Sequence, residues 1–121
     1  MKRGDIKMKV DKEKTHAIYI VLDEKRILKD NEDLMEMKNY IETLCNINNM
    51  IFTKDGWYKN GTFETAGAVT TLLFEQEWFM KYIKECYLYD NDDKSCEDLV
   101  FAYKKGITRY VDFGPKKWGD K

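Results

Sequence analysis

The residues best suited to chemistry lie in one stretch, YLYDNDDKSCEDLVFAYKKG at positions 87–106, where five carboxylates fall within nine positions. A group this dense could bind a divalent cation, attract a basic partner or precede a helix. A calcium loop of the EF-hand type needs an oxygen ligand at its fifth position, Gly at its sixth and Glu at its twelfth. Counted from the first aspartate, those positions hold Lys94, Ser95 and Phe101, so we do not expect calcium. The five carboxylates are Asp90, Asp92, Asp93, Glu97 and Asp98.

The end of this stretch has the pattern of a helix start. Ser95 followed three residues later by Asp98 matches a capping motif, in which the serine hydroxyl accepts a hydrogen bond from a backbone amide of the first turn. Gly106 is suited to end that helix, because glycine adopts the left-handed conformation easily. This motif accounts for Glu97 and Asp98 but leaves the three preceding aspartates in a connecting loop. That loop is either a solvated turn or a docking surface for a cationic partner.

Other groups that could do chemistry are isolated in the sequence. The cysteines Cys45, Cys86 and Cys96 form no CxxC pair, and the single histidine, His16, is distant from all of them. A zinc site needs about four such ligands, and no nucleophile lies near His16 in the sequence. We therefore predict no metal, no cofactor and no catalytic residue, and a protein that is not an enzyme. The cysteines are expected to be reduced thiols, either in the core or half-exposed.

The elements that would position these residues begin with a strand. HAIYIVL, residues 16–22, is apolar on both faces, which is typical of a central strand. A helix is predicted next, capped by Asp30 or Asn31 and with Asp33 in its first turn. Its apolar face recurs at helical spacing through Leu34, Met37, Ile41, Leu44 and Cys45.

The centre of the chain has two turn signals and one ambiguous stretch. The dipeptides Asp-Gly at 55–56 and Asn-Gly at 60–61 both favour hairpin turns. Because they lie so close together, one should join two strands and the other should bend or bulge a strand. AGAVTTLLF, residues 66–74, could begin a helix, but its Val and Thr residues favour a strand. We predict a strand there, followed by a helix from about Glu75 with an apolar stripe formed by Trp78, Phe79, Tyr82, Ile83 and Cys86.

Together these elements predict a single small α+β domain over residues 15–121, with a short antiparallel or mixed sheet and two or three helices. The order strand, helix, two strands, helix, strand is compatible with a ferredoxin-like arrangement. Residues 1–14 are predicted to form a basic N-terminal arm. No apolar run approaches the ~20 residues that span a membrane, and no apolar stretch follows the basic N-terminus. We therefore expect a cytoplasmic protein.

The composition and net charge of the chain reduce the number of function classes that fit it. An apolar content of 43% argues against disorder. The net charge of -1 at pH 7 means that no overall field attracts the chain to nucleic acid or to an anionic membrane. A short, motif-poor chain with polarised charges is typical of bacterial immunity proteins that neutralise toxins and of phage inhibitors of host defence.

We therefore predict a non-enzymatic, protein-binding inhibitor whose acidic surface meets a basic partner, such as a toxin or nuclease domain. Charge would steer the partner, and buried aromatic side chains would supply affinity. The partner-binding residues would be the five carboxylates and a set of exposed aromatic residues: Trp57, Tyr58, Tyr87, Tyr89 and Trp118.

A nucleic-acid-binding domain is the alternative. Basic residues collect at both ends of the chain, and they would form one patch if the ends meet. The glycine-aromatic motif of RNA-binding sheets is absent, which weighs against this alternative. The basic residues are Lys2, Arg3, Lys7, Lys9, Lys12 and Lys14 near the start, and Lys104, Lys105, Arg109, Lys116 and Lys117 near the end.

Overall fold

The computed structural model describes residues 14–118, which form an α+β domain around one antiparallel sheet. The described strands are β1 His16–Leu22, β2 Ile51–Phe52, β3 Trp57–Gly61, β4 Ile83–Asp90, β5 Ser95–Asp98 and β6 Tyr110–Val111. The described helices are α1 Glu24–Lys29, α2 Leu34–Ile47, α3 Phe63–Phe74, α4 Glu77–Tyr82 and α5 Leu99–Lys105. The predicted α+β class is confirmed, but the six strands and five helices exceed the predicted short sheet with two or three helices.

The strands lie across the sheet in the order β2-β3-β1-β4-β5-β6, so β1 is central, as its two apolar faces predicted. Side chains of a strand alternate between the two faces of a sheet. On one face, Ile18 lies in a large core cluster to which all five helices contribute. On the other face, Ala17 packs with Trp57 and Cys96 in a smaller cluster. The sheet therefore has helices on one face and a second core on the other.

Each turn dipeptide contains one residue with a positive φ, which is Gly56 in the first and Asn60 in the second. Gly56 has a φ of 91° and lies between β2 and β3, where the amide of Thr53 donates to the carbonyl of Trp57 at 2.9 Å. Asn60 has a φ of 74° and lies near the end of β3, where the pairing register with β1 shifts. One turn joins two strands and the other distorts a strand, which confirms the prediction.

The predicted helix that carries Leu34, Met37 and Ile41 is confirmed as α2, although it begins later than predicted. Asp33 is the cap of α2, because its Oδ1 accepts a hydrogen bond from the amide of Glu36 at 3.0 Å. Asp30 instead follows α1, a short helix that the sequence did not indicate and that Asp23 caps. The buried face of α2 matches the predicted spacing and consists of Met37, Ile41 and Cys45.

The predicted strand over residues 66–74 is wrong, because these residues lie in α3. Thr62 and Thr65 start this helix with reciprocal hydrogen bonds: Thr65 N donates to Thr62 Oγ1 at 3.0 Å, and Thr62 N donates to Thr65 Oγ1 at 2.8 Å. Buried side chains recur every three or four residues, and their packing outweighs the β preference of Val and Thr. They are Ala66, Val69, Thr70, Leu73 and Phe74.

The helix predicted from about Glu75 is present as α4, Glu77–Tyr82, but it is shorter than predicted. The helix α4 ends at Tyr82, and the residues after it form β4. A short apolar run does not distinguish the helical period from the strand period, so the stripe misled the prediction. In β4 the side chains alternate instead, with Cys86 in the helical core and Tyr87 on the opposite face.

The predicted cap at Ser95 is wrong, although the helix that it should start is confirmed. Ser95 lies in β5, and the cap of α5 is Asp98, whose Oδ1 accepts a hydrogen bond from the amide of Phe101 at 3.1 Å. Pairing with β4 holds residues 95–98 in a strand, which delays the start of the helix. Gly106 ends α5 with a φ of 72°, as predicted.

The predicted ferredoxin-like order is not confirmed, because the sheet has six strands. The predicted N-terminal arm, residues 1–14, lies outside the described residues except for Lys14. Among the helices between residues 14 and 118, none is long and apolar enough to cross a membrane.

Candidate functional site

Two regions contain most of the residues that the sequence singled out: the sheet face opposite the helices and the turn between β4 and β5. The face opposite the helices, here called the tyrosine face, carries Tyr19, Trp57, Tyr87 and Tyr89. Tyr19 of β1 pairs with Trp57 of β3 on one side and with Tyr87 of β4 on the other. Residues paired across neighbouring strands point to the same face, so three strands bring these rings together.

The C-terminal segment, residues 112–118, packs on the tyrosine face. The ring centroid of Phe113 lies 5.1 Å from that of Tyr19, 5.5 Å from that of Trp57 and 5.0 Å from that of Tyr87. Aromatic pairs at this spacing stabilise the folded state by more than the burial of their surface area alone. The sequence did not indicate this role for Phe113, because its partners are distant along the chain.

A glycine allows the segment to approach the sheet closely. A Cβ atom at Gly114 would lie 2.7 Å from Cε1 of Tyr89, which is closer than real contacts allow. The ring of Trp118 then lies 6.3 Å from the same tyrosine, and Trp118 is half-buried. The segment therefore covers the tyrosine face from Phe113 to Trp118.

A buried ion pair ties this segment to the hairpin of β2 and β3. Lys59 is 4% exposed; its Nζ lies 3.2 Å from Asp55 Oδ2 and donates to the carbonyl of Lys117 at 2.6 Å. Asp55 Oδ1 accepts from Thr53 Oγ1 at 2.7 Å. Burial by itself raises the pKa of Asp55, but hydrogen bonds from Thr53 and Lys59 outweigh it and hold that pKa below its ordinary value. The carboxyl group of Asp55 is therefore charged at neutral pH.

The predicted aromatic residues differ in how much surface they offer to a partner. Trp57 is 2% exposed, so the expectation of an exposed anchor there is wrong, and the cause is the covering C-terminal segment. Tyr87 and Tyr89 are half-buried, and burial raises the pKa of both. Tyr58 lies on the helical side of the sheet, where its ring centroid is 4.9 Å from that of the exposed Phe52. Contact between a partner and these tyrosines stays a prediction.

The second region is the acidic turn, residues 90–94, which ends β4 and leads into β5. Asp90 Oδ1 accepts a hydrogen bond from the amide of Asp92 at 3.0 Å. Lys94 has a φ of 56°, and its Nζ donates to Asn91 Oδ1 at 2.8 Å. Hydrogen bonds within the turn therefore hold its backbone in a defined shape.

The carboxylates of this turn are not equivalent. Asp90 Oδ2 lies 3.8 Å from Nε2 of His16 in β1, so Asp90 contacts the rest of the sheet. Asp92 and Asp93 are exposed. Among residues 14–118, no Lys or Arg nitrogen lies within 4.0 Å of either carboxylate. The hairpin thus presents two adjacent negative charges to solvent.

The other two carboxylates of the acidic run lie on opposite faces of β5. Asp98 is opposite Tyr87, caps α5 and has its Oδ2 4.0 Å from Nε of Arg109. Glu97 is opposite Leu88, on the helical side. Asp98 therefore serves the fold, and the five predicted carboxylates do not share one surface.

The titratable groups of residues 14–118 suggest neither a metal site nor a reactive thiol. In that part of the chain, no group of three or more His, Cys, Asp or Glu side chains could hold a metal ion. Cys45, Cys86 and Cys96 are buried, and burial raises the pKa of Cys45 and of Cys96 to about 12. Because the thiolate is the reactive form, these cysteines are inert at neutral pH.

Comparison with other proteins does not assign a function to the tyrosine face or to the acidic turn. Comparison of the chain with protein families, with curated proteins and with solved structures found no match. The roles of the tyrosine face and of the acidic turn are therefore inferred from their own residues.

Proposed function

We propose that this protein is a non-enzymatic inhibitor that binds a basic partner protein, such as a toxin or nuclease domain, through its acidic turn. The supporting observation is the exposure of Asp92 and Asp93 on a hydrogen-bonded hairpin, where no Lys or Arg nitrogen of the described residues lies within 4.0 Å of either carboxylate. Adjacent like charges repel each other. A cationic surface placed against the turn would relieve that repulsion, whereas the fold itself does not require it.

Charge at the turn would act mainly on the rate of association and on the choice of partner. Affinity would come from aromatic side chains that become fully buried in the complex. Tyr89 is next to the turn in sequence and is half-buried, so its free surface lies near the docking charges. Tyr58 and Phe52 form a second aromatic surface, in which Phe52 is 56% exposed.

The sheet order supports a more detailed reading of the fold within this proposal. The strands β1 to β4, in the order β2-β3-β1-β4, would form a ferredoxin-like unit. The strand β5 would extend that unit at the β4 edge, and the acidic turn would belong to the extension.

The proposal is tested by capture of the partner. The immobilised full chain should retain a basic protein from the cells that express it, and the purified pair should form a one-to-one complex in which the partner's activity is lost. The variant Asp92→Asn with Asp93→Asn should retain less of that protein at low salt. Glu75→Gln with Glu77→Gln is the matched control, because it removes the same charge from exposed positions around the start of α4. Equal capture by the two variants would contradict a role for the turn.

Binding of nucleic acid is the second candidate function. The cations of the C-terminal region that it would use are exposed: Lys104, Lys105, Arg109, Lys116 and Lys117. The tyrosine face, however, cannot stack on bases while the C-terminal segment covers it. Affinity for a generic RNA or DNA oligomer should fall steeply as salt rises, and removal of residues 1–9 should weaken it further. Absence of binding at low salt would eliminate this candidate.

A further inference from the structure

A groove with a volume of about 230 Å³ lies between the start of α2 and the helix α4, away from the acidic turn. Its apolar wall combines Met37, which is 8% exposed, with the rings of Tyr40 and Trp78. The two rings stand almost perpendicular, at 88°, with centroids 5.5 Å apart. A ligand in the groove would therefore contact the face of one ring and the edge of the other.

The rim of the groove is acidic. It is formed by Glu32, Asp33 and Glu36, all of which are exposed. Asp33 is fixed in place because it caps α2. No lysine or arginine belongs to the described lining, and the nearby Lys38 has its Nζ 3.0 Å from Glu24 Oε2. An aromatic wall and an uncompensated acidic rim together favour a cation with an apolar or planar body.

We propose that this groove accepts an arginine side chain from a basic partner protein. A guanidinium group is planar, stacks on aromatic rings and pairs with carboxylates through several N–H donors. Trp78 and Tyr40 would contact its face, while Glu32 and Glu36 would accept from its edge. A lysine ammonium is a compact and strongly hydrated charge, so it would use the rings less well.

This contact is separate from the acidic turn. The turn lies where β1 begins, since His16 pairs with Asp90, whereas the groove belongs to the helices that follow the end of β1 at Leu22. A strand of seven residues is about 20 Å long, so the two acidic surfaces are roughly that far apart. A test at the groove can therefore succeed or fail independently of the function proposed for the turn.

The test uses the isotope-labelled full chain and three short peptides that differ at one position, which is arginine, lysine or the neutral isostere citrulline. The indole N–H signal of Trp78 is identified with a Trp78→Phe variant and is followed by NMR during each titration. The arginine peptide should cause a saturable shift, the lysine peptide a weaker one and the citrulline peptide none. Equal shifts with citrulline, or no saturable shift with arginine, would overturn the proposal. If the lysine peptide bound as tightly as the arginine peptide, the groove would not select a guanidinium group, and the proposal of an arginine side chain would be overturned.

Two matched variants locate the site. Glu32→Gln with Glu36→Gln should weaken binding of the arginine peptide about fivefold, from the loss of two exposed charge pairs. Glu64→Gln with Glu75→Gln removes the same charge from exposed positions at the two ends of α3 and should leave this affinity unchanged. An equal loss in both variants would show that general charge, rather than the groove, attracts the peptide, and it would overturn the proposal.

Discussion

Two charged regions of this protein differ in what their charges contact. On the tyrosine face, Lys59 is almost fully buried, and its ammonium group contacts the carboxylate of Asp55 and the carbonyl of Lys117. At the acidic turn, Asp92 and Asp93 are exposed, and no Lys or Arg nitrogen of the described residues lies within 4.0 Å of their carboxylates. A buried charge must be paired for the folded state to tolerate it. The first region therefore serves stability, whereas the charges of the second are free to serve binding.

The largest effect should follow from breaking the buried pair. Lys59→Met should lower the free energy of unfolding by about 3–5 kcal/mol, because it leaves the carboxylate of Asp55 without its cation. Urea unfolding measures this loss. Lys84→Met is the control, since Lys84 is an exposed lysine of β4. Similar losses in both variants would show that Lys59 is not in a special environment.

A smaller effect should follow from weakening the cover over the tyrosine face. Phe113→Ala should lower the free energy of unfolding by about 1–2 kcal/mol, because the ring of Phe113, although 40% exposed, packs against Tyr19, Trp57 and Tyr87. The indole ring of Trp57 should also become accessible to fluorescence quenchers. Phe63→Ala removes a phenylalanine that is 73% exposed and should cost less than about 0.5 kcal/mol. If the quenching of Trp57 stayed unchanged, the C-terminal segment would not be its cover.

The start of α5 separates the structural carboxylate of the acidic run from the free ones. Asp98→Ala should cost about 1 kcal/mol, because it removes the hydrogen bond to the amide of Phe101. Ser95→Ala should change the unfolding free energy by less than about 0.5 kcal/mol, since Ser95 lies in β5. Chemical denaturation of both variants gives the comparison. A larger loss for Ser95→Ala would assign the cap to the serine after all.

The sequence indicated the elements whose signals are local. The apolar run 16–22, the face of α2 and Gly106 follow from patterns that neighbouring residues determine. The secondary structure of residues 66–74 and 83–90 was predicted wrongly, because their apolar residues fit the helical period and the strand period equally well. Contacts with distant strands decide between helix and strand there.

The candidate sites were predictable to a lesser extent. The position of Asp92 and Asp93 in a connecting turn follows from the sequence, because a run of polar residues lies between two segments with apolar periodicity. Both segments next to the turn are strands, however, where the sequence predicted a helix and a helix start. The burial of Trp57 does not follow from the sequence, since it depends on Phe113, which is far along the chain. The groove beside Trp78 likewise needs α4 to meet α2 in the folded protein.

The most direct test of the account is the rate at which the captured partner associates with the protein, measured across a salt series. The variant Asp92→Asn with Asp93→Asn should keep its unfolding free energy within about 0.5 kcal/mol of the unchanged chain. It should associate more slowly at low salt and at nearly the same rate at high salt, where the charges are screened. Equal association rates at low salt would contradict the account and would make the acidic turn a solvated loop.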